Sequence, residues 1–358
     1  SRRKSVRRPR RSARKSVRRR ASFGVTGQRE EEPTNIGIIS WNIEGSVVGE
    51  SMGITQMVTR FVEQTRGESY DAVVIGFQEA GGVSASYTGG ESCRFLKTSP
   101  VMRNLQEVIK GEGGLQVYCV NLQGFGAEGY RGLVTAVVYR TDTDISFSEP
   151  NHTRCHMGDQ KAGKGIIGVS AILRNQRWMF ANAHLPFITD RDRQGYQARV
   201  NCFQKAVERL NFSDYDYVSF SGDLNFRVEG GYSEETLKSG NYKEMAAHDQ
   251  LTEYLQTIGQ GWVEGDLEFP PTCKLLKKRP TNCYEFPEEN PSECYQTSSK
   301  GSPRIPSWCD RILVTTMNMS LRPRVEMYRN LVIAYLKGQK ISDHDPVIAS
   351  ISAPWEAV

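Results

Sequence analysis

The chain has 358 residues, of which 38% are hydrophobic and 9% aromatic, enough apolar material for one large α/β domain or two ordinary ones. It contains no run of the roughly 18 apolar residues that a membrane-spanning helix needs and no apolar leader, so a cytoplasmic setting is expected. The formal charge of +5 is uneven: residues 1–20 hold 12 of the 46 Lys and Arg and no acid, which leaves 34 basic against 41 acidic residues, a body of charge −7. A nuclease spreads positive charge over its folded groove, so this balance argues against nucleic acid as substrate.

The basic arm repeats KSVRR at 4–8 and 15–19 and has almost no apolar residues. Such a composition cannot offset the entropy of folding, so residues 1–34 read as a disordered tail and 35–358 as one catalytic domain. The arm suits either a solubilising or nuclear-import role or a peripheral contact with anionic lipid at the cytosolic face of a membrane. From residue 36 the pattern turns to buried strands and amphipathic helices. Strands are expected at 36–41, 72–77, 133–139, 166–173, 178–183, 217–221 and 347–351, and helices at 54–64, 101–109, 193–210 and 242–257. Several strands in the middle follow one another with no helix between, which fits an α/β sandwich of two sheets better than a doubly wound parallel sheet. Residues 265–306, dense in Pro, Glu and Asn, read as a long surface loop carrying binding residues. The eight cysteines form no CxxC pair and read as reduced thiols, with a zinc site among the last four as the weaker alternative.

Polar residues follow the apolar strands directly, where side chains emerge at a sheet edge. The first strand runs into Ser40-Trp41-Asn42-Ile43-Glu44, the second into Phe77-Gln78-Glu79, and later ones into Asn182-Ala183-His184 and Gly222-Asp223-Leu224-Asn225-Phe226-Arg227. Near the C-terminus come RIPSWCDRIL at 304–313 and ISDHDPV at 341–347. Singly, each carboxylate reads as a helix cap or turn residue. The histidines shift that balance, because two of only five, His184 and His344, fall beside these motifs. His152 and His156 have a metal-compatible spacing but no carboxylate partner and read as loop residues.

The set WN, QE, HL, GDLNFR, WCDRIL and SDHDPV, in this order, closely resembles the inositol polyphosphate 5-phosphatases over about residues 35–355. The resemblance implies a DNase I-like exonuclease/endonuclease/phosphatase fold, a two-layered β-sandwich flanked by helices. It implies a monomeric Mg2+-dependent phosphatase acting on the 5-phosphate of phosphoinositide lipids or soluble inositol phosphates. By the same resemblance Glu79 and Asn42 are the metal residues, Asp223 activates the attacking water, and Asn225 holds that water or the phosphate. His184 and His344 donate to phosphoryl oxygens, Asp310 pairs with His344, Asp343 completes the metal side, and Glu44 is a further candidate ligand. Lys164 in a glycine-lysine-glycine loop, Lys274 and Arg304 match the cations that meet substrate phosphates, with Arg227 a fourth. The sequence departs from the family at Cys273, where tyrosine is usual, at Ser307, where alanine is usual, and at Leu185-Pro186-Phe187, where small residues are usual. The rival readings are a nuclease of the same fold, apurinic endonuclease-like, and a non-catalytic phosphoinositide-binding module.

Overall fold

The computed structural model describes residues 32–46, 48, 52–124, 131–155, 164–187, 193–230, 234–259, 261–277, 283, 291–296, 298–299, 302–333 and 342–355. The basic arm and His156 lie outside the described residues. In chain order the elements are β1 (Thr34–Asn42), α1 (Met52–Gln64), β2 (Ala72–Ala80), α2 (Glu91–Thr98), a 3-10 helix (Pro100–Glu107), β3 (Leu115–Gln123) and β4 (Gly132–Arg140). Then come β5 (Ile145–Phe147), β6 (Asn151–Arg154), β7 (Gly165–Leu173), β8 (Gln176–His184), α3 (Arg193–Arg209) and β9 (Tyr217–Asp223). The chain continues through α4 (Glu234–Lys238), α5 (Tyr242–Ala246), α6 (Gln250–Ile258), α7 (Pro291–Cys294), β10 (Ser298–Ser299) and β11 (Ser302–Pro303). It ends with β12 (Asp310–Thr316), β13 (Arg324–Asn330) and β14 (Val347–Ala353).

Two mixed sheets result, in the orders β13-β14-β1-β2-β4-β3 and β12-β9-β8-β7-β5, with β6 also on β7. Period-two alternation builds three layers of core from them. Ile36, Ile38 and Val74 face Ile167, Val169 and Phe180 of the other sheet. Their neighbours Ile39, Trp41, Val73 and Ile75 turn outward onto Met57, Val58 and Phe61 of α1. On the opposite side, Met179, Ala181, Val218 and Phe220 pack on Val200, Phe203 and Ala206 of α3 and on Leu251 of α6. Each of the Val, Ile, Leu, Met and Phe side chains among these contributes about 1.5–3 kcal/mol on full burial, so sandwich and outer helices stabilise one another. One polar bridge crosses the middle layer: Asn182 on β8 donates to Phe77 O and Val134 O (3.2 and 2.9 Å) and accepts from Gln78 Nε2 (2.8 Å). Gly76 makes room for it, since a Cβ there would lie 3.1 Å from Asn182 Cγ.

The seven expected strands are present, and the sandwich is the expected one. Four expectations are corrected. The helix at 242–257 is two helices, because the Asp249 side chain accepts from Leu251 N and Thr252 N and starts α6 afresh. The segment 101–109 is a 3-10 helix preceded by α2. His152 lies on β6, not in a loop. Within 265–306, Phe269, Thr272, Cys273, Leu275 and Tyr295 are buried, so among the described residues this stretch contributes to the core instead of lying wholly on the surface.

The reading of reduced thiols is also corrected. All eight cysteines are paired, as Cys93–Cys119, Cys155–Cys202, Cys273–Cys309 and Cys283–Cys294, which removes any zinc site among the last four. The partners are 26, 47, 36 and 11 residues apart, so tertiary packing makes the pairs and no local spacing announces them.

Candidate active site

Strand direction gathers the polar residues. β1 and β2 run parallel, as do β8 and β9, so Asn42, Glu79, His184 and Asp223 all emerge at carboxyl ends. β14, β4, β7 and β12 run antiparallel to these neighbours, so the residues before them return to the same edge. That placement brings in Asp343 and His344, Arg131, Lys164 and Asp310.

Asp223 is the hub. Its Oδ2 accepts from Asn42 Nδ2 at 2.9 Å and lies 3.1 Å from His184 Nε2, while Oδ1 accepts from Asn225 N at 3.2 Å. His184 Nε2 also meets Lys164 Nζ and lies 3.9 Å from Glu79 Oε1. Opposite, His344 Nδ1 is 2.8 Å from Asp310 Oδ2, which also accepts from Thr272 Oγ1 at 2.8 Å. Trp41 Nε1 donates to His344 O at 2.9 Å and ties this loop to β1. Asp343 pairs with Lys274 Nζ at 2.8 Å and Glu44 pairs with Lys277.

The electrostatics separate the two imidazoles. Burial and the Lys164 ammonium hold His184 below the ordinary histidine value, hence neutral. Burial also opposes the charge on His344, but Asp310 and Asp223 outweigh it and raise His344 to about 10. Burial likewise works against ionisation of Asp223, yet His184 and His344 hold it well below the usual carboxylate range. Glu79 is lowered despite burial, by His184 and then Lys164. At neutral pH the edge therefore carries an ionised Asp223, a cationic His344 and a neutral His184. Glu44, Glu79 and Asn225 all adopt left-handed backbone (φ 50°, 51° and 57°), a strain that functional loops retain.

Around this hub lie the cations. Asn225 Nδ2 donates to Leu185 O and its Oδ1 accepts from Arg227 Nη2 at 2.8 Å, so its amide is anchored and orients Arg227. Phe187 lies beneath two guanidinium groups, 4.8 Å from Arg227 and 6.0 Å from Arg304. The structure thus brings every candidate site residue to one edge. It adds Arg131, whose Nη1 lies 3.2 Å from Glu79 Oε2, and Thr272, Lys277 and Phe187. Thr272 lies two residues before Lys274, a position the sequence did single out; nothing in the sequence marks Arg131. A cavity of about 570 Å3 lined by Arg177, Tyr217, Met317 and Met319 lies at the opposite ends of β8 and β9 and holds none of these groups.

Among the described residues, the one group of three close metal-type ligands is Asp223, Asp310 and His344, within 4.8 Å of one another. Two of these are a His–Asp pair already satisfying each other, a poor cage for a hard cation. Glu79, by contrast, is partly exposed at the edge and offers carboxylate oxygens of the kind that suits Mg2+, while the Asn42 amide oxygen accepts from Glu44 N at 3.0 Å and keeps a second lone pair.

The two-sheet sandwich with its polar edge defines a class. The profile described as endonuclease/exonuclease/phosphatase family 2 matches residues 39–350, and the chain belongs to that family. Among curated proteins, the type IV inositol polyphosphate 5-phosphatase 3 of Arabidopsis thaliana is 28% identical over 210 residues, covering 54% of this chain and 28% of that protein. The type II inositol 1,4,5-trisphosphate 5-phosphatase of Mus musculus is 26% identical over 201 residues, covering 51% and 17%. The matched region is thus less than a third of either relative. Among solved structures, the inositol polyphosphate 5-phosphatase domain of SPsynaptojanin, in complex with inositol (1,4)-bisphosphate and calcium ion, aligns with a TM-score of 0.61 and 22% identity over 90% of this chain and 84% of that one. A Cimex nitrophorin ferrous NO complex aligns with a TM-score of 0.53 and 18% identity over 90% and 99%. The fold alone therefore selects no chemistry, and the side chains at its edge must.

Proposed function

We propose that the chain is a Mg2+-dependent phosphatase that removes the 5-phosphate of phosphoinositides or soluble inositol polyphosphates. The observation that carries the reading is Asp223 held ionised between Asn42 and His184, facing the cationic His344–Asp310 pair across the same edge. Phosphate-ester hydrolysis is limited by charge on the equatorial oxygens and by placing water in line. When bound, Mg2+ supplies charge neutralisation at the phosphoryl oxygens, and Glu79 with Asn42 would hold it.

The rest of the chemistry falls to the chain. Asp223, fixed by its bonds to Asn42 and to Asn225 N, accepts a proton from the attacking water. His344, kept protonated by Asp310, donates to a phosphoryl oxygen. Lys164 adds positive charge beside His184; Lys274, held by Asp343, and Arg304, held by Gln296, would meet a neighbouring ring phosphate. Arg227 is steered by Asn225 and Phe187. The curated relatives named for inositol polyphosphates support this choice of substrate.

The test is phosphate release from phosphatidylinositol 4,5-bisphosphate, its 3,4,5-trisphosphate, soluble inositol 1,4,5-trisphosphate and an abasic DNA duplex, with Mg2+ and with chelator. Mg2+-dependent release from the inositol substrates is expected. Cleavage of the duplex alone would establish a nuclease, and tight lipid binding with no release would establish a binding module.

A further inference from the structure

The Cys273–Cys309 disulfide has a site residue beside each half: Lys274 follows Cys273 and Asp310 follows Cys309. Both cysteines are buried, and three segments of the edge meet at Cys273. Its backbone exchanges hydrogen bonds with Ser307 (3.1 and 2.9 Å) and is bridged to His344. Its side neighbours reach the same groups: Thr272 Oγ1 donates to Asp310 Oδ2, and Lys274 Nζ pairs with Asp343. Arg227 Nη1 lies 3.2 Å from Cys273 Sγ. On the other half, Cys309 O accepts from Leu224 N at 2.7 Å, one residue from Asp223. The covalent link therefore joins the segment carrying Lys274 to the start of β12, which carries the partner of His344. Cys93–Cys119, between α2 and β3, has no site residue beside either half.

We propose that Cys273 and Cys309 are positioning residues whose disulfide sets Lys274 against the Asp310–His344 pair, so that full activity belongs to the oxidised chain. The inference rests on the phosphatase reading for its substrate. It also implies that the chain matures in an oxidising compartment, where such bonds form and persist. Forming the bond removes two electrons and two protons from the two thiols. A small-molecule disulfide such as glutathione disulfide accepts them and leaves as two thiols.

The experiment begins with the chain folded in a glutathione/glutathione disulfide mixture and digested without reduction, where a peptide linked through Cys273 and Cys309 is expected. Kinetics on soluble inositol 1,4,5-trisphosphate with Mg2+ then compare the chain with the double variants Cys273→Ala/Cys309→Ala and Cys93→Ala/Cys119→Ala. The first pair should raise KM through Lys274 and lower kcat through Asp310, about 10- to 100-fold together in kcat/KM, since small misplacements at a reacting centre have effects of that order. The second pair should lower the melting temperature and leave kcat/KM unchanged, which separates positioning from stability. Free Cys273 and Cys309 thiols in a fully active chain, or unchanged kcat/KM in the first pair, would overturn the proposal. If no form releases phosphate from any inositol substrate, the phosphatase reading fails by itself. Positioning is then read from binding of inorganic phosphate, which must weaken in the first pair and not in the second; equal binding overturns it.

Discussion

Asn42 Nδ2 donates to Asp223 Oδ2 at 2.9 Å, and this bond joins the carboxyl end of β1 in one sheet to that of β9 in the other. The amide and the carboxylate are both buried, so the bond fixes the separation of the sheets at the edge and also orients the acid that would take a proton from water. Replacing Asp223 by Asn keeps the shape and removes the base. Phosphate release should fall by about 10²–10⁴-fold, the range for loss of a general base, and the melting temperature should fall as well, because the new amide can accept from only one of Asn42 Nδ2 and Asn225 N. Retention of more than a tenth of the activity would show that another group takes the proton.

The two imidazoles predict an unusual pH profile. His344 acts as a donor only while protonated, and its value near 10 places loss of activity with rising pH near 10, not near the ordinary histidine value. Asp310→Asn removes the first of the groups that hold the charge on His344. In that variant the alkaline limb of kcat should move down toward neutrality while the acid limb stays in place. Profiles of the two proteins that superimpose would remove His344 from the donor role.

Arg131 lies 3.2 Å from Glu79 Oε2, a cation beside the carboxylate assigned to Mg2+. Both side chains are partly exposed, so the pair is worth at most about 1 kcal/mol. Arg131→Gln should therefore lower the Mg2+ concentration for half-maximal activity by up to about fivefold, as metal no longer competes with a guanidinium for the oxygen. A higher requirement in the variant would mean that Arg131 assists the substrate phosphate instead.

Much of this edge was legible in the sequence because strands announce themselves by apolar runs and the next polar residue has to emerge at the strand end. Asn42, Glu79, His184 and Asp223 are all of this kind. What depends on the register between distant segments was not legible. The pairing of Asp343 with Lys274 across 69 residues is of this kind. β3 and β13 were missed because their half-exposed patterns lack a continuous apolar run. The four cystines were invisible for the same reason, since no residue near Cys273 points to Cys309.

Arg311 shows how one motif serves two purposes by alternation. In the run Trp308-Cys309-Asp310-Arg311, Asp310 reaches the active edge, and its neighbour on β12 turns the other way into a buried cluster. There Arg311 donates to Asp249 Oδ1 at 2.7 Å and to Glu264 through Nε and Nη2 at 2.6 and 2.5 Å. Arg311 is fully buried, and although burial opposes its charge, Asp249 and Glu264 hold it strongly protonated. Arg311→Met would leave two carboxylates facing each other without a cation and should destabilise the fold by about 3–5 kcal/mol in urea unfolding. Asp249 also caps α6, so the loss should appear early in hydrogen exchange of that helix. Adding Asp249→Asn and Glu264→Gln to the variant neutralises the stranded charges and should restore part of the loss. No recovery in the triple variant would mean that the guanidinium acts through packing instead of through charge.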